Sequence, residues 1–229
     1  MRWWPLRWML SLALLPAIAA VTDARRQADR TSSSTPVLPP QAFGVPLVRQ
    51  QTGYSCGPAA LLALLKFFGA WDGSEQQLYP ILETSSADGT LPEALATGAA
   101  HFGLGASVES DMTIARLRAV LASGRLVILE FQAWRSSEQL ATRWRDLWTE
   151  GHYAVLIAID ARFAYFMDPS TQGAYAFMPL SGLEERWHDV NPARPVPLEP
   201  YDRRLGVIVG SLKRSTPQPA LTRRVLPLN

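Results

Sequence analysis

One cysteine, Cys56, stands at a position where a protein can activate a thiol as a nucleophile. It lies in the segment Tyr54-Ser55-Cys56-Gly57-Pro58, at the first turn of a helix predicted over Gly57–Gly69. Unpaired backbone N–H groups and the positive end of the helix dipole favour thiolate over thiol there. A single cysteine cannot form an internal disulfide, and the alternative interpretation is a buried, inert thiol. We interpret Cys56 as a candidate nucleophile.

A thiolate nucleophile also needs a base that can pass a proton to the leaving group, and the chain contains three histidines. His101 lies on a predicted helix, where a surface or partly buried structural role is expected. His188 follows Arg186-Trp187 in a polar segment that has no strand to orient it. His152 begins the strand with the strongest hydrophobic pattern. We therefore interpret His152 as the candidate base.

Asp168 is brought close to His152 by a predicted hairpin. Strands over His152–Ile159 and Phe163–Met167 flank a short turn, so paired residue numbers add to roughly 320 to 322. His152 then lies opposite Asp168 or within two residues of it. A carboxylate at that position can hold the imidazole tautomer that a base needs, whereas an isolated Asp before Pro169 is typical of turn capping. The pairing favours an orienting role for Asp168.

The developing oxyanion of an acyl-transfer reaction needs hydrogen-bond donors. A side-chain amide and the backbone N–H of Cys56 can both point at such an oxygen, and Gln50 and Gln51 lie just upstream in the chain. A glutamine before a loop is more often only polar surface. From the residues alone, both glutamines remain candidates.

Hydrophobic periodicity predicts the elements that must position these residues. Apolar residues at helical spacing and N-cap signals come first, and continuous β-rich runs follow, which favours an α+β architecture. The predicted helices are Gly57–Gly69, Ser74–Leu82, Leu91–Phe102 and Ile114–Ser123; the predicted strands are Leu126–Phe131, His152–Ile159, Phe163–Met167, Ala174–Met178 and Leu205–Val209.

The segment from Ala133 to Glu150 lies between two predicted strands and carries Trp134, Trp144 and Trp148 among polar residues. We predict a helix here, because Trp144 and Trp148 are four residues apart and would share one face. Aromatic packing onto the domain is the favoured role. A lid or substrate wall leading to His152 is the alternative.

The N-terminus has the features of an export signal. Basic residues precede an apolar run from Trp8 to Ala19 that ends in small residues, and about 12 residues are short for a membrane span of about 20. We expect residues 1–19 to be a signal peptide with cleavage after Ala19, which implies a periplasmic protein; an uncleaved membrane anchor is the alternative. Residues 20–44, rich in Ser, Thr and Pro, are predicted to be a flexible linker.

The globular domain is expected over residues 45–211, followed by a basic, Pro-containing tail over 212–229. The chain has 229 residues, of which 48% are hydrophobic and 18% charged, so a disordered or multispan membrane protein is excluded. Of 22 basic and 20 acidic residues, Arg2 and Arg7 lie in the predicted signal, so the remaining chain is formally neutral. A neutral chain does not attract polyanions at long range, and we expect no nucleic-acid partner.

The motifs around these residues resemble the C39 family of papain-like cysteine peptidases. They are Val45–Leu61, which contains Gln50 and Cys56; Gly151–Leu156; and Met167-Asp168-Pro169. The resemblance covers about residues 45–209 and implies a papain-like fold, with N-terminal helices packed on a C-terminal antiparallel sheet. It further implies that Cys56 is the nucleophile, His152 the base, Asp168 the orienting residue, and Gln50, six before the cysteine, the oxyanion donor.

The export signal and the lack of a transporter segment distinguish this chain from the many C39 members that are fused to ABC exporters and cut leaders after Gly-Gly. It resembles the freestanding exported type, such as the C39-like protein associated with functional-amyloid secretion. We therefore expect a thiol endopeptidase acting on a secreted protein or peptide, with no metal or organic cofactor. A non-catalytic substrate-binding or chaperone module of a secretion system is the alternative, and acyl transfer on a non-protein substrate is a third possibility.

Overall fold

The computed structural model describes residues 36–190, 201–211, 220, 222 and 224–228. The predicted signal peptide over 1–19 and its cleavage site lie outside the described residues, as does the linker up to residue 35. Across the described residues, no helix is both long and apolar enough to cross a membrane. The compact unit considered below begins at Val37.

Five α-helices are present in the described residues: α1 Cys56–Phe67, α2 Glu75–Leu78, α3 Pro92–His101, α4 Ile114–Ala122 and α5 Leu180–Arg186. Helix α1 is buried along nearly its whole length, as its unbroken apolar sequence predicts. It ends where Gly69 adopts a φ of 63°, a left-handed conformation that glycine reaches without steric cost. Helix α2 begins with the predicted capping box between Ser74 and Gln77 but is only four residues long.

Nine strands form two sheets in the described residues. The strands are β1 Leu104–Glu109, β2 Leu126–Gln132, β3 Gly151–Ile159, β4 Phe163–Met167, β5 Tyr175–Pro179, β6 His188–Val190, β7 Tyr201–Arg203, β8 Gly206–Ser211 and β9 Val225–Pro227. The large sheet has the order β1-β8-β2-β3-β4-β5-β9, and β6 pairs with β7 separately. All neighbours are antiparallel except β5 and β9.

Alternating strand residues divide the core into two layers, one on each face of the large sheet. Helices α1 to α3 cover one face, where Leu61 and Leu95 pack with Val155. Helices α4 and α5 cover the other face, where Leu117 and Leu183 pack with the remaining strand side chains. This arrangement confirms the predicted α+β class, with the N-terminal helices packed on a mainly antiparallel sheet.

At its open end the hairpin of β3 and β4 has the predicted register, with paired residue numbers that add to 322; next to the turn they add to 323. Val155 pairs with Met167 and Leu156 with Phe166, and a bulge follows between Leu156 and Ala158. Continued toward the open end of the hairpin, this register places Asp168 within two residues of the position opposite His152, as the sequence predicts.

Two local predictions are wrong. The segment over 133–150 is a loop rather than a helix, with two 3-10 turns at Ser137–Gln139 and Trp144–Asp146. The guanidinium groups of Arg135 and Arg186 lie 3.8 and 3.5 Å from the Trp144 ring centroid, so this ring packs between cations instead of on a helix face. Strand β1 was not predicted, because its centre is Gly105-Ala106-Ser107 and it is only partly buried.

The packed region also extends beyond both predicted boundaries. Within the predicted linker, Leu38 and Ala42 are buried in the core, and the Phe43 N–H donates to the carbonyl oxygen of Ile157 at 3.0 Å. Within the predicted tail, β9 adds to the sheet and buries Val225 and Leu228. In both places a few apolar side chains among polar ones supply enough burial to order the backbone.

Candidate active site

The loop over 50–55 is held in place before it delivers Cys56 to the start of α1. The Thr52 N–H donates to Oγ of the buried Ser55 at 3.0 Å, and the Gln51 N–H donates to Oε1 of Glu75 at 3.2 Å. Glu75 is itself buried at the start of α2 and accepts a hydrogen bond from the Tyr79 hydroxyl. Helix α2 therefore fixes the approach to the cysteine from the side.

Cys56 is the first residue of α1, with Ser55 as its N-cap, so its side chain lies at the positive end of the helix dipole. Burial, the largest single effect, raises the pKa of the Cys56 thiol. The hydrogen bond and charge of His152, helped by the backbone N–H groups of Tyr153 and Gly57, outweigh it and bring the pKa below its ordinary value. The neighbouring imidazole thus favours the thiolate form of Cys56.

His152 and Asp168 form a buried pair. Nε2 of His152 lies 2.6 Å from Oδ1 of Asp168, and both side chains are almost fully enclosed. Asp168 also accepts hydrogen bonds from the Ser170 N–H at 3.0 Å, the Ser170 hydroxyl at 2.7 Å and the Thr171 hydroxyl at 2.6 Å. The carboxylate is therefore held from both sides and fixes the orientation of the imidazole.

The pKa values of His152 and Asp168 shift in opposite directions. Burial disfavours both charged forms and is the largest effect on each, but their mutual hydrogen bond opposes it. With the further contribution of Cys56, the pKa of His152 rises to about 9. With help from Thr171 and Ser170, the pKa of Asp168 falls to about 2. The arrangement favours an imidazolium between a carboxylate and a thiolate.

His152 also lies among aromatic rings. It pairs with Phe131 across β2 and β3, and their ring centroids are 5.9 Å apart. The Trp134 ring, 37% exposed, lies 4.8 Å from the imidazole. Nδ1 of His152, the ring nitrogen that does not face Asp168, is buried. Trp134 thus stands between the pair and solvent, whereas Trp148 stacks on His188 with centroids 4.3 Å apart.

The two glutamines have different surroundings. Gln50 is partly buried, its Nε2 donates to the Thr52 carbonyl oxygen at 2.8 Å, and its Oε1 is buried without a partner in the described structure. Gln51 is exposed and accepts a hydrogen bond from the Gln76 side chain on α2. The structure places Gln50 toward the interior and Gln51 outward.

The other two histidines lie elsewhere. His101 is exposed at the end of α3, beside Phe102. His188 is buried and begins strand β6, so the further prediction that no strand orients it is wrong; its Nε2 lies 2.8 Å from the Leu147 carbonyl oxygen. Burial, helped by the charge of Arg203, holds the pKa of His188 below its ordinary value, although the hydrogen bond to Leu147 opposes this shift. Neither histidine is among the groups that shift the pKa of Cys56, as His152 is.

Beside Cys56 opens a cleft of about 410 Å³, called here the Cys56 cleft. Residues from α1, the loop over 86–92, β2, β3 and β6 line it, among them Glu130, Tyr153 and Asp189. The sequence analysis did not single out these three residues. A signal for Glu130 was available, because it is the one charged residue in the predicted strand Leu126–Phe131. Asp189 carried no comparable signal, since it lies in a short polar segment.

Among the residues described by the structure, no group of three or more His, Cys, Asp or Glu side chains is arranged to hold a metal ion. His152 instead interacts with both the Cys56 thiol and the Asp168 carboxylate. This arrangement can perform nucleophilic and general acid–base chemistry with side chains alone.

A helix that starts at a cysteine and packs on an antiparallel sheet carrying a His–Asp pair defines the C39 type of papain-like peptidase fold. The model of the Peptidase_C39 like family matches residues 43–193. The chain belongs to this family, which was the family suggested by its motifs. A search of curated proteins found no match.

One solved structure supports the fold, and two others are similar to the chain at lower TM-scores. A Bacillus anthracis protein described as a C39-like peptidase superposes with a TM-score of 0.53 at 16% identity, over 76% of this chain and 98% of its own. A double glycine motif protease from an AMS/PCAT transporter, solved with a leader peptide, has a TM-score of 0.49 at 16% identity. This match covers 77% of this chain and 98% of the other. The peptidase domain of the Streptococcus transporter ComA has a TM-score of 0.49 at 15% identity. This match covers 73% of this chain and 98% of the other.

Proposed function

We propose that this chain is an exported thiol endopeptidase that hydrolyses a peptide bond in a secreted or exported protein. The observation that carries the proposal is the position of His152, which is hydrogen-bonded to Asp168 through Nε2 and coupled to the Cys56 thiol. A purely structural histidine would not need a carboxylate on one side and a thiol at a helix N-terminus on the other.

The geometry supports a two-stage reaction. The Cys56 thiolate attacks the peptide carbonyl carbon, and the carbonyl oxygen becomes an oxyanion that the Cys56 backbone N–H and Gln50 Nε2 stabilise. The His152 imidazolium gives its proton to the leaving amine as the C–N bond breaks, which leaves a thioester on Cys56. A water then loses a proton to His152 and attacks the thioester carbonyl carbon, which breaks the C–S bond, releases the acid and restores the Cys56 thiolate beside the His152 imidazolium.

Each supporting residue has one task in this scheme. Asp168 keeps the imidazole oriented and stabilises its charged form, since it is itself fixed by three hydrogen bonds from Ser170 and Thr171. The described residues offer no metal cluster, and the scheme needs none. Gln50 is the proposed oxyanion donor, because its neighbour Gln51 is engaged with Gln76 at the surface.

The compartment follows from the N-terminal sequence. An apolar run preceded by Arg2 and Arg7 supports export, and a periplasmic location gives access to secreted substrates or to components of a secretion system. N-terminal sequencing of the protein recovered from a periplasmic fraction tests this part separately. A mature N-terminus at Ala20 is expected.

The catalytic part is tested with the purified chain lacking residues 1–19 and a randomised peptide mixture, with new peptide ends identified by mass spectrometry. Cleavage that requires Cys56 and His152 supports the endopeptidase. Stable peptide binding without any new ends would instead identify a substrate-binding or chaperone module that has kept the fold.

A further inference from the structure

Glu75 is a charged residue that the proposed reaction does not use, although it lies in the interior beside the loop over 50–55. It is the first residue of α2 and is only 1% exposed. The start of this helix is already capped by Gln77, whose side chain accepts a hydrogen bond from the Ser74 N–H at 2.9 Å. A buried carboxylate costs free energy unless it is hydrogen-bonded, so the partners of Glu75 indicate its role.

Oε1 of Glu75 accepts two hydrogen bonds. One comes from the Gln51 backbone N–H at 3.2 Å, and the other comes from the Tyr79 hydroxyl at 2.7 Å. The Tyr79 hydroxyl also interacts with the side chains of Ser55 and Thr52, which belong to the loop before the nucleophile. Both partners of the carboxylate therefore connect α2 with this loop.

The Gln50 backbone is held at both of its peptide bonds. Its own N–H donates to the Pro169 carbonyl oxygen at 3.0 Å, and the next N–H, that of Gln51, donates to Glu75. The Gln51 side chain is also bonded to Gln76 of α2, which holds it at the surface. Because the direction of a side chain follows from its backbone, two fixed peptide bonds keep the Gln50 side chain directed inward.

The amide of Gln50 depends on the same loop. Its Nε2 donates one N–H to the Thr52 carbonyl oxygen at 2.8 Å, which leaves the second N–H of the amide for an oxyanion. The Thr52 N–H is in turn bonded to Oγ of Ser55 at 3.0 Å. Without an acceptor for the Gln51 N–H, the backbone between Gln50 and Thr52 could turn, and the amide would lose its direction.

We propose that Glu75 is a positioning residue for the oxyanion donor: it holds the Gln51 peptide bond and thereby keeps the Gln50 amide in the orientation that the transition state requires. This inference rests on the proposed peptidase function. In this role Glu75 touches no reacting atom. It should therefore act on kcat through Gln50, with little effect on KM or on the alkylation of Cys56.

Kinetics on a peptide that the wild-type protein cleaves test this role. Glu75→Leu leaves the Gln51 N–H without its acceptor and should lower kcat by about 10- to 100-fold at an unchanged KM. Glu75→Gln retains an acceptor oxygen and should recover most of kcat. Glu93→Leu removes the same charge from the exposed first turn of α3 and should match the wild type. Iodoacetamide should react with Cys56 at the same rate in all four proteins.

A double-mutant cycle separates positioning from general damage to the site. In the Gln50→Ala background, Glu75→Leu should cost at most about 2-fold in kcat, because the group that it positions is gone. A full-sized loss in that background would overturn the positioning role. So would a Glu75→Gln variant that is as slow as Glu75→Leu, or a loss that appears in the alkylation of Cys56 as well.

Tyr79→Phe gives the same comparison if Glu75→Leu does not fold, since it removes one of the two bonds to Oε1 and keeps the carboxylate. It should lower kcat by about 2- to 10-fold, and this loss should vanish in the Gln50→Ala background. An unchanged kcat would overturn the role.

The peptidase and the role of Glu75 can fail separately. Cleavage that requires Cys56 but is unaffected by Glu75→Leu would overturn the role of Glu75 and leave the peptidase in place. No cleavage by the wild-type protein would overturn both.

Discussion

The backbone N–H of Gln50 donates a 3.0 Å hydrogen bond to the carbonyl oxygen of Pro169. This bond ties the loop that delivers Cys56 to the residue that follows Asp168. The bond fixes two segments that are far apart in sequence relative to each other, so that the loop before Cys56 and the end of β4 cannot shift independently. Positioning of this kind keeps a nucleophile and its base within the small tolerance that acyl transfer requires.

Cys56→Ala should abolish cleavage and leave the fold intact. The change removes one small, partly buried side chain at a helix start, so we expect a thermal unfolding midpoint close to that of the wild type. Mass spectrometry of the peptide products checks the loss of cleavage, and circular dichroism during heating checks the unfolding midpoint. Cleavage at the wild-type rate would exclude a thiol mechanism.

The thiol should react with alkylating agents at lower pH than a free cysteine, whose pKa is about 8.5. Because burial alone raises the pKa of Cys56 and His152 lowers it, His152→Ala should move the midpoint of the rate profile upward. Iodoacetamide rates between pH 5 and 10 measure this. His101→Ala should leave the profile unchanged, and an unshifted profile in His152→Ala would refute the pair.

Asp168 should stabilise the fold above acidic pH. Its folded pKa of about 2 lies below the ordinary value of 3.8, so its contribution is present above pH 4 and is lost as the pH falls toward 2. The shift corresponds to on the order of 2 kcal/mol. Urea unfolding of wild type and Asp168→Asn should show a difference at pH 6 that shrinks by pH 2.5. A pH-independent difference would mean that the charge does not contribute.

Asp168→Asn should also slow turnover by about 10²–10⁴-fold at neutral pH, since the imidazole loses the charge that stabilises its protonated form. The readout is kcat on a cleaved peptide. Ser170→Ala removes only one of the hydroxyls that hold the carboxylate, so it should cost much less. Equal losses in the two variants would point to loop damage rather than to the charge.

Gln50→Ala should reduce kcat by about 10²–10³-fold, the typical cost of one oxyanion donor, while alkylation of Cys56 changes little. Gln51→Ala is the matched control, because its side chain is exposed and bonded to Gln76. A mild Gln50 variant would assign the oxyanion to backbone groups alone. A damaging Gln51 variant would mean that substrate binding reverses the orientation of these neighbours.

Trp134→Ala should lower kcat by weakening the hydrogen bond between His152 and Asp168. The ring stands against the imidazole, and its loss admits water to the hydrogen bond with Asp168. An aromatic contact with a cation contributes about 0.5–2 kcal/mol, which corresponds to a loss of roughly 2- to 30-fold. Trp134→Phe keeps a ring and should retain most of the activity. Full activity in Trp134→Ala would limit the residue to surface packing.

The sequence predicted the parts of the site that depend on local pattern. Helix α1 follows from an apolar run between Pro58 and Gly69, and the nearness of His152 and Asp168 follows from the short turn between β3 and β4. Both features involve residues close in sequence, for which periodicity and turn length fix the geometry. The residues alone left both glutamines open and the family resemblance selected Gln50; the structure adds the contact between Gln51 and α2.

The remaining parts depend on contacts that a pattern does not encode. Asp189 reaches the Cys56 cleft because Gly151 leaves room for it, and no sequence signal links these two residues. Trp144 looked like a helix residue by spacing, but packing with Arg135 and Arg186 overrides that spacing. Strand β1 is stabilised by pairing with β8, which compensates for its weak intrinsic preference.

The position of β8 between β1 and β2 determines when the large sheet can form during synthesis. Residues up to Gln132 leave the ribosome long before Gly206–Ser211 arrive to join them. Until then β1 and β2 each have an unpaired edge, and β5 gains its neighbour β9 later still. The complete sheet can therefore form only after nearly the whole chain has been synthesised.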